Sequence, residues 1–299
     1  MFSRRHPFLF FFLVLASLFT SAFIALVAVI MGSSSLLSSS LTDDLVSKGN
    51  IGIIELTGII LSSKETLEAI NDFRENEDIK AIVLRIDSPG GGVAPSQEIY
   101  RAIVKTRQSK KVIASLGAVA ASGGYYAAAA SDGIMASPGT LTGSIGVIME
   151  YANIREIMEK IGLAPVVIKS GEFKDMGSPV RELTDKERQI FQGIANEIHA
   201  QFVQDVATGR NLDRKTVESL ADGRVYTGQT AVDLNLIDRL GNMDDAISWA
   251  AEIAGIQGTV KPVYPRQDKI TFLKKMVGSL FKEAYISGTL PEYFRFIVN

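Results

Sequence analysis

From residue 50 the chain alternates short, continuously apolar runs with amphipathic stretches, and few folds accommodate that alternation. IGIIEL (51–56), AIVLRID (81–87), KVIASLG (111–117), GIMAS (133–137), SIGVIM (144–149) and APVVIKS (164–170) each predict a strand. Between them the spacing predicts helices over 63–75, with Leu67, Ile70 and Phe73 on one side, over 94–108, near 122–130 and over 152–162. Strands alternating with helices imply an α/β domain with mostly parallel pairing. Beyond residue 183 the pattern turns helical. Thr184 and Glu187 form a T-x-x-E capping-box pattern at the start of a long amphipathic run to about residue 208.

The N-terminal region is different in kind. Residues 7–31, PFLFFFLVLASLFTSAFIALVAVIM, carry no charge. As a helix this run would reach about 37 Å, more than the ~30 Å hydrocarbon core of a bilayer. Arg4 and Arg5 precede it, which predicts a cytoplasmic N-terminus and export of everything beyond. A cleaved signal peptide is the rival, but its apolar core usually runs only about 7–15 residues, so a retained single-pass anchor is expected. Residues 1–31 thus read as a cytoplasmic stub and anchor, and 32–49, with seven serines, as a tether. Residues 50–265 read as the folded domain and 266–299 as a C-terminal helical segment. In that segment Ile270, Leu273, Met276, Val277, Leu280 and Phe281 recur at helical spacing among lysines, as in a packing or oligomer-contact helix, with membrane-surface contact as the alternative.

Composition excludes several chemistries. Among 299 residues there is no cysteine, so no disulfide scaffold, thiolate metal site or cysteine nucleophile is available. His6 and His199 are the two histidines, too few for a histidine-rich metal site. Lys plus Arg number 31 against 33 for Asp plus Glu, and a net charge of −2 gives no sign of a nucleic-acid binder. Neither G-x-x-x-x-G-K-[ST] nor G-x-G-x-x-G occurs, so no nucleotide cofactor is expected, and no metal.

What remains is a set of small-residue clusters at the predicted strand ends, where α/β folds place their sites. Asp87-Ser88-Pro89-Gly90-Gly91-Gly92 can point backbone amides at a developing negative charge, or can be a plain tight turn. Ala120-Ala121-Ser122-Gly123-Gly124 leaves one serine accessible at a helix start, as a nucleophile or as a helix cap. Gly139-Thr140-Leu141-Thr142-Gly143-Ser144-Ile145-Gly146 adds hydroxyls that could orient a catalytic group. A serine nucleophile needs a base. His6 falls across the membrane and His199 inside the long helix, which leaves a lysine, aspartate or glutamate. A lysine can serve when desolvation favours its neutral form. Lys174 follows a predicted strand in SGEFKD, but local chemistry alone does not choose it over Lys169.

The motifs DSPGGG, AASGGYY, LTGSIGV and SGEFKD, in this order and spacing, resemble the signal peptide peptidase A (SppA) family over roughly residues 50–245. That family comprises membrane-anchored Ser-Lys proteases related in fold to the caseinolytic protease (ClpP) and crotonase group. The resemblance implies a ClpP/crotonase-like spiral of repeated ββα units behind one transmembrane helix. It implies Ser122 as nucleophile, Lys174 as general base, Ser144 as the serine that orients the lysine, and the N–H groups of Gly91 and Gly123 as the oxyanion hole. It further implies no cofactor, apolar signal-peptide remnants as substrate, and a bacterial cytoplasmic-membrane location with the protease domain on the outer side. The partner it implies is a second copy of the chain, in rings of eight subunits that share active sites. The alternatives are a SohB-like protease with other substrates, a peptide-binding pseudoprotease, and a crotonase-like acyl-CoA enzyme. The last would need an acidic base and an exported coenzyme A substrate.

Overall fold

A computed structural model describes residues 8, 10–12, 14, 15, 17–21 and 49–265. The chain divides into two units, Met1–Lys48 and Gly49–Asn299. Among the described residues no helix is long and apolar enough to cross a membrane. The anchor expected over 7–31 and the tether over 32–49 lie largely outside the described residues, and the C-terminal helix over 266–299 lies wholly outside them.

The second unit is mixed α/β. It opens with β1 (Ile51–Ile60), α1 (Lys64–Glu75), β2 (Ala81–Gly91), α2 (Val93–Thr106), β3 (Lys111–Ala121), α3 (Gly123–Ala129), β4 (Gly133–Ala136) and β5 (Leu141–Gly143). It continues with α4 (Arg155–Lys160), α5 (Asp185–Arg210), α6 (Arg214–Leu220), β6 (Val225–Thr227), α7 (Gly228–Asp233), β7 (Arg239–Leu240), α8 (Met243–Ile253) and β8 (Pro262–Val263). The strands form one sheet in the order β6-β5-β3-β2-β1-β8, with β4 on β3 and β7 on β4. Only the β5–β6 pairing is antiparallel among the described residues.

Both faces of the sheet are covered, which explains why the central strands read as unbroken apolar runs. Alternate residues face opposite ways. Leu56, Leu84, Ile86 and Leu116 join a core with Ile70 and Phe73 of α1, Ile99 and Ile103 of α2, and Phe202 and Val206 of α5. Ile51, Ile53, Val83 and Ile113 face the other way, onto Ala246 and Ala250 of α8. The capping box at Thr184 and Glu187 is formed and starts α5 as its sequence predicts.

β3 is the fork of the sheet. Its first half, Ile113–Leu116, pairs with β4, and its last residues, Val119–Ala121, pair with β5. The fork lets β3 run on to Ala121, four residues past the predicted end.

Two predicted strands are not present. Residues 144–149 and 164–170 have no regular secondary structure, and the helix expected over 152–162 is confined to α4. The reason is the lack of a neighbour. A strand needs a continuous run of partners for its backbone polar groups. Among the described residues Ser144 and Ile145 find them, in Arg224 O and the Gly223 N–H, and Ile145 is buried, but no ladder continues beyond them. Ile148 is 85%, Val166 87% and Ile168 97% exposed.

Gly209, near the end of α5, tests how closely that helix approaches α3. A Cβ there would meet the carbonyl oxygen of Ala129 and lie 2.9 Å from its carbonyl carbon. Helix propensity alone favours alanine over glycine by about 1 kcal/mol. A backbone carbonyl cannot yield as a flexible side chain would, so the overpacking cost of about 1–3 kcal/mol should win. Gly209→Ala is therefore expected to lower the urea midpoint of unfolding, and a raised midpoint would refute the close approach.

Candidate active site

The site is built where β3 and β5 end. Ala120 pairs with Thr142 and Ala121 with Gly143. The next residue of each strand is a serine, Ser122 or Ser144, and both have φ of 52°. That left-handed conformation is uncommon for a residue with a side chain and costs about 1–3 kcal/mol. The surrounding bonds hold it. The Ser122 N–H donates to Gly143 O at 2.8 Å and the Ser144 N–H to Arg224 O at 2.9 Å. The buried Thr142 hydroxyl donates to Ala120 O at 2.7 Å, and the Thr140 hydroxyl to Gly117 O at 2.7 Å. The register therefore delivers two kinked serines at adjacent strand ends, on the C-terminal edge of the sheet.

Ser122 precedes α3 but its side chain does not cap that helix. Neither its hydroxyl nor that of Ser144 forms a hydrogen bond among the described residues, and both residues are half-buried. The strained turn from a strand into a helix resembles the physical setting of a nucleophile elbow, reached here without the G-x-S-x-G sequence.

The triple-glycine loop abuts this turn. A Cβ on Gly90, whose φ is 102°, would lie 2.7 Å from the Gly123 nitrogen and 2.8 Å from the Ser122 Cβ. A Cβ on Gly123 would meet the Ser96 hydroxyl and lie 3.3 Å from the Gly91 nitrogen. The two loops touch because neither carries a side chain there, which brings the Gly123 nitrogen against Gly90 and the Gly91 nitrogen against Gly123. Gly123 is the first residue of α3, so its N–H has no partner within the helix. Three side chains brace the loop. The Ser88 hydroxyl accepts from the Gly90 N–H at 3.1 Å, the Ser96 hydroxyl donates to Gly92 O at 2.8 Å, and an Asp87 carboxylate oxygen accepts from the Val119 N–H at 3.1 Å. The bracing role of Ser96 carries no signal in the sequence, because a buried Ser bonded to main chain looks like any other small residue.

Lys174 lies in the turn-rich stretch that follows residue 170. Its N–H donates to Gly171 O at 3.2 Å. Its side chain is exposed, and its amine bonds to neither Ser122 nor Ser144 within the chain. Lys169 is engaged instead, donating to Asp175 at 2.6 Å and to Glu172 O at 2.9 Å. Asp175 also accepts from Arg181 at 2.9 Å, and the Arg181 fork reaches Glu187 of α5. His199 stands in the middle of α5, half-buried, with no hydrogen bond to either serine.

The hydrogen bonds of Arg181 hold the Glu187 carboxyl down from the ordinary 4.5 to about 2, with help from the Thr184 N–H. Asp175 is held well below the usual carboxylate range by Arg181 and Lys169, in that order. Both folded values are depressed, so the stabilisation is full above the ordinary carboxylate range. It is lost as pH falls through that range toward the folded values. Acid titration should accordingly loosen this loop between about pH 4.5 and about pH 2, read as faster proteolysis within residues 169–187.

Known proteins share this arrangement of sequence and fold. Residues 105–257 match peptidase family S49, and residues 61–142 match Clp protease. A protein of Synechocystis sp. named as a candidate protease is 43% identical over 230 residues, covering 76% of this chain and 83% of that one. The chain belongs to peptidase family S49. An Enterococcus faecium protein named as a candidate SppA is 35% identical, covering 70% of this chain and 66% of that one. A Haemophilus influenzae protein named as a SohB protease is 34% identical, covering 67% of this chain and 54% of that one. The alignment thus spans between half and two-thirds of the latter two relatives. The S49 chain is a serine protease with a mixed α/β, ClpP-like fold.

The contact of the two glycine loops has a direct test in this S49 peptidase. Gly90→Ala forces a side chain into the Ser122–Gly123 turn at a φ that disfavours it. Peptide cleavage should fall about a hundredfold or more, with a stability loss of only about 1–3 kcal/mol. Full activity in the variant would show that the loops do not form one site.

Proposed function

We propose that the protein is a signal peptide peptidase. It would degrade apolar signal-peptide remnants at the outer face of a bacterial cytoplasmic membrane, anchored through residues 7–31 with its N-terminus inside. Ser122 is the nucleophile and Lys174 the general base. Ser144 orients the lysine, and the amides of Gly91 and Gly123 form the oxyanion hole. The observation that carries this reading is the paired exit of β3 and β5, which sets Ser122 beside Ser144 and against the glycine loop.

Neutral Lys174 takes the proton from the Ser122 hydroxyl as its oxygen attacks a peptide carbonyl carbon. The carbonyl oxygen becomes an oxyanion held by the two amides, and one such donor is worth about 3 kcal/mol where it has been measured. The C–N bond breaks, and Lys174 returns its proton to the leaving amine. Lys174 then deprotonates a water that attacks the acyl-enzyme. The peptide leaves as a carboxylic acid, and Ser122 regains its proton.

The base belongs to a neighbouring subunit in this reading. Two observations support a homo-oligomer with shared sites, of which eight subunits is the expected count. The apolar side chains of Ile148, Val166 and Ile168 are uncovered in the single chain, as an interface would require. The Lys174 amine has no partner among the described residues of its own chain.

The second reading rests on the SohB-named relative. It is a protease of the same family and mechanism with different substrates. Cleavage of a signal-peptide-derived reporter, compared with an apolar peptide of unrelated sequence, separates the two.

The central experiment uses the full chain in lipid vesicles. Lys174→Ala should lower kcat/KM on the reporter by about 10²–10⁴-fold, the usual worth of a general base. Wild-type activity should rise toward alkaline pH, because the base acts only when deprotonated. Undiminished cleavage by Lys174→Ala, or an acidic optimum, would overturn the assignment. Inactive Ser122→Ala and Lys174→Ala chains, unfolded and refolded together, should recover part of the activity. No recovery in mixtures shown to co-assemble would overturn the shared site.

A further inference from the structure

The loop that carries Lys174 is tied to the rest of the fold by the Lys186–Glu172 pair, by the Ile154 N–H donating to Pro179 O at 2.7 Å, and by a set of hydrogen bonds that converge on Arg181. Its Nε donates to Asp175 Oδ2 at 2.9 Å and one Nη to Asp175 O at 3.0 Å. The other Nη donates to Glu187 Oε2 at 2.9 Å and to Glu182 O at 2.9 Å. A second contact joins Arg181 to Glu187 Oε1. One guanidinium thus grips the residue directly after Lys174, by side chain and by main chain, and also the capping carboxylate of α5. The Glu187 side chain is 3% and that of Asp175 14% exposed, so these are enclosed contacts. Surface ion pairs contribute little, but a planar fork shared between two shielded carboxylates fixes direction as well as distance.

The charge beside Lys174 follows from the same contact. The charged groups around the loop are Lys169, Glu172 and Asp175 on the loop itself, Arg181 and Glu182 after it, Lys186, Glu187 and Arg188 on α5, and Arg155 of α4, which feels the charge of Glu182. Lys186 pairs with Glu172. The Asp175 carboxylate, next to the base in sequence, is offset by Lys169 and Arg181. An uncompensated carboxylate there would favour the ammonium form of a neighbouring lysine.

We infer that Arg181 is a positioning residue for the reaction: by gripping Asp175 and Glu187 it fixes the Lys174 loop on α5 and offsets the carboxylate that follows the base in sequence. The inference rests on the reading of Lys174 as the general base. It assigns Arg181 no contact with substrate.

The test is the pH dependence of kcat and kcat/KM on the apolar reporter, from about pH 6 to about pH 10, with the full chain in vesicles. Arg181→Gln removes the fork and the charge. It should move the midpoint of the alkaline rise up by about half a unit or more and lower the plateau kcat about tenfold, with KM little changed. Asp175→Asn removes the opposite charge, so its midpoint should move down. Arg181→Lys keeps a charge without the fork, and should restore the midpoint better than the plateau. A purely structural role would lower the active fraction at every pH and leave all midpoints in place, and that result would overturn the inference. If Arg181→Gln does not fold, the direction of the Asp175→Asn midpoint decides. The Lys174→Ala control separates two failures. Undiminished cleavage by that variant means the lysine reading has fallen and this inference with it. Loss of cleavage in Lys174→Ala, with unmoved midpoints in the others, means this inference alone has fallen.

Discussion

The short parallel pairing of Val119–Ala121 with Leu141–Gly143 is the contact on which the candidate site depends. It is only three residue pairs long, yet each strand leaves it through a serine in the left-handed region. Two such residues cost about 1–3 kcal/mol each. Net hydrogen bonds are worth about 1 kcal/mol apiece, so a bare three-residue ladder would scarcely hold them. The extra bonds from Thr140 and Thr142 to β3 main chain, both buried, tip the balance. The fork of β3 is what makes room for this second pairing. β4 takes one half of the strand and leaves the end free for β5.

The glycine loop fits against that pairing by the absence of side chains. Gly90 and Gly123 approach so closely that a methyl on either would strike the other loop or its brace. The amides proposed as donors, those of Gly91 and Gly123, are held by main chain alone, which makes them rigid and insensitive to rotamer choice. A preorganised donor of this kind costs no reorganisation when charge develops. The parts of the site on β2, β3 and β5 are therefore stiff. The part on 169–176 is a loop tied by ions to α5, and its lysine points to solvent in the single chain.

That contrast also sets how much was legible in the sequence. The central strands and their helices announce themselves, because burial on both faces demands unbroken apolar runs such as AIVLRID. The capping box of α5 is legible for a local reason, since Thr184 and Glu187 satisfy each other within one turn. The strands read at 144–149 and 164–170 carry the same apolar signature but, past the bonds of Ser144 and Ile145 to residues 223–224, gain no ladder among the described residues. Composition reports that a segment wants cover, and not which chain supplies it. The short strands β6, β7 and β8 are set by long-range pairing and leave no local pattern of their own. At the site, the small-residue clusters mark the places where backbones meet. Local chemistry leaves open which lysine serves as base; in the structure Lys169 is tied to Asp175 and Glu172, whereas the Lys174 amine has no partner among the described residues.

Everything in the proposed mechanism requires Ser122 to be an activated nucleophile. The most direct measurement is covalent labelling of the full-length protein in vesicles with a fluorophosphonate, followed by peptide mass mapping. The prediction is a single adduct on Ser122 that forms faster toward alkaline pH and is nearly abolished in Lys174→Ala. An adduct on another serine, or one on Ser122 that forms equally fast without Lys174, would contradict it.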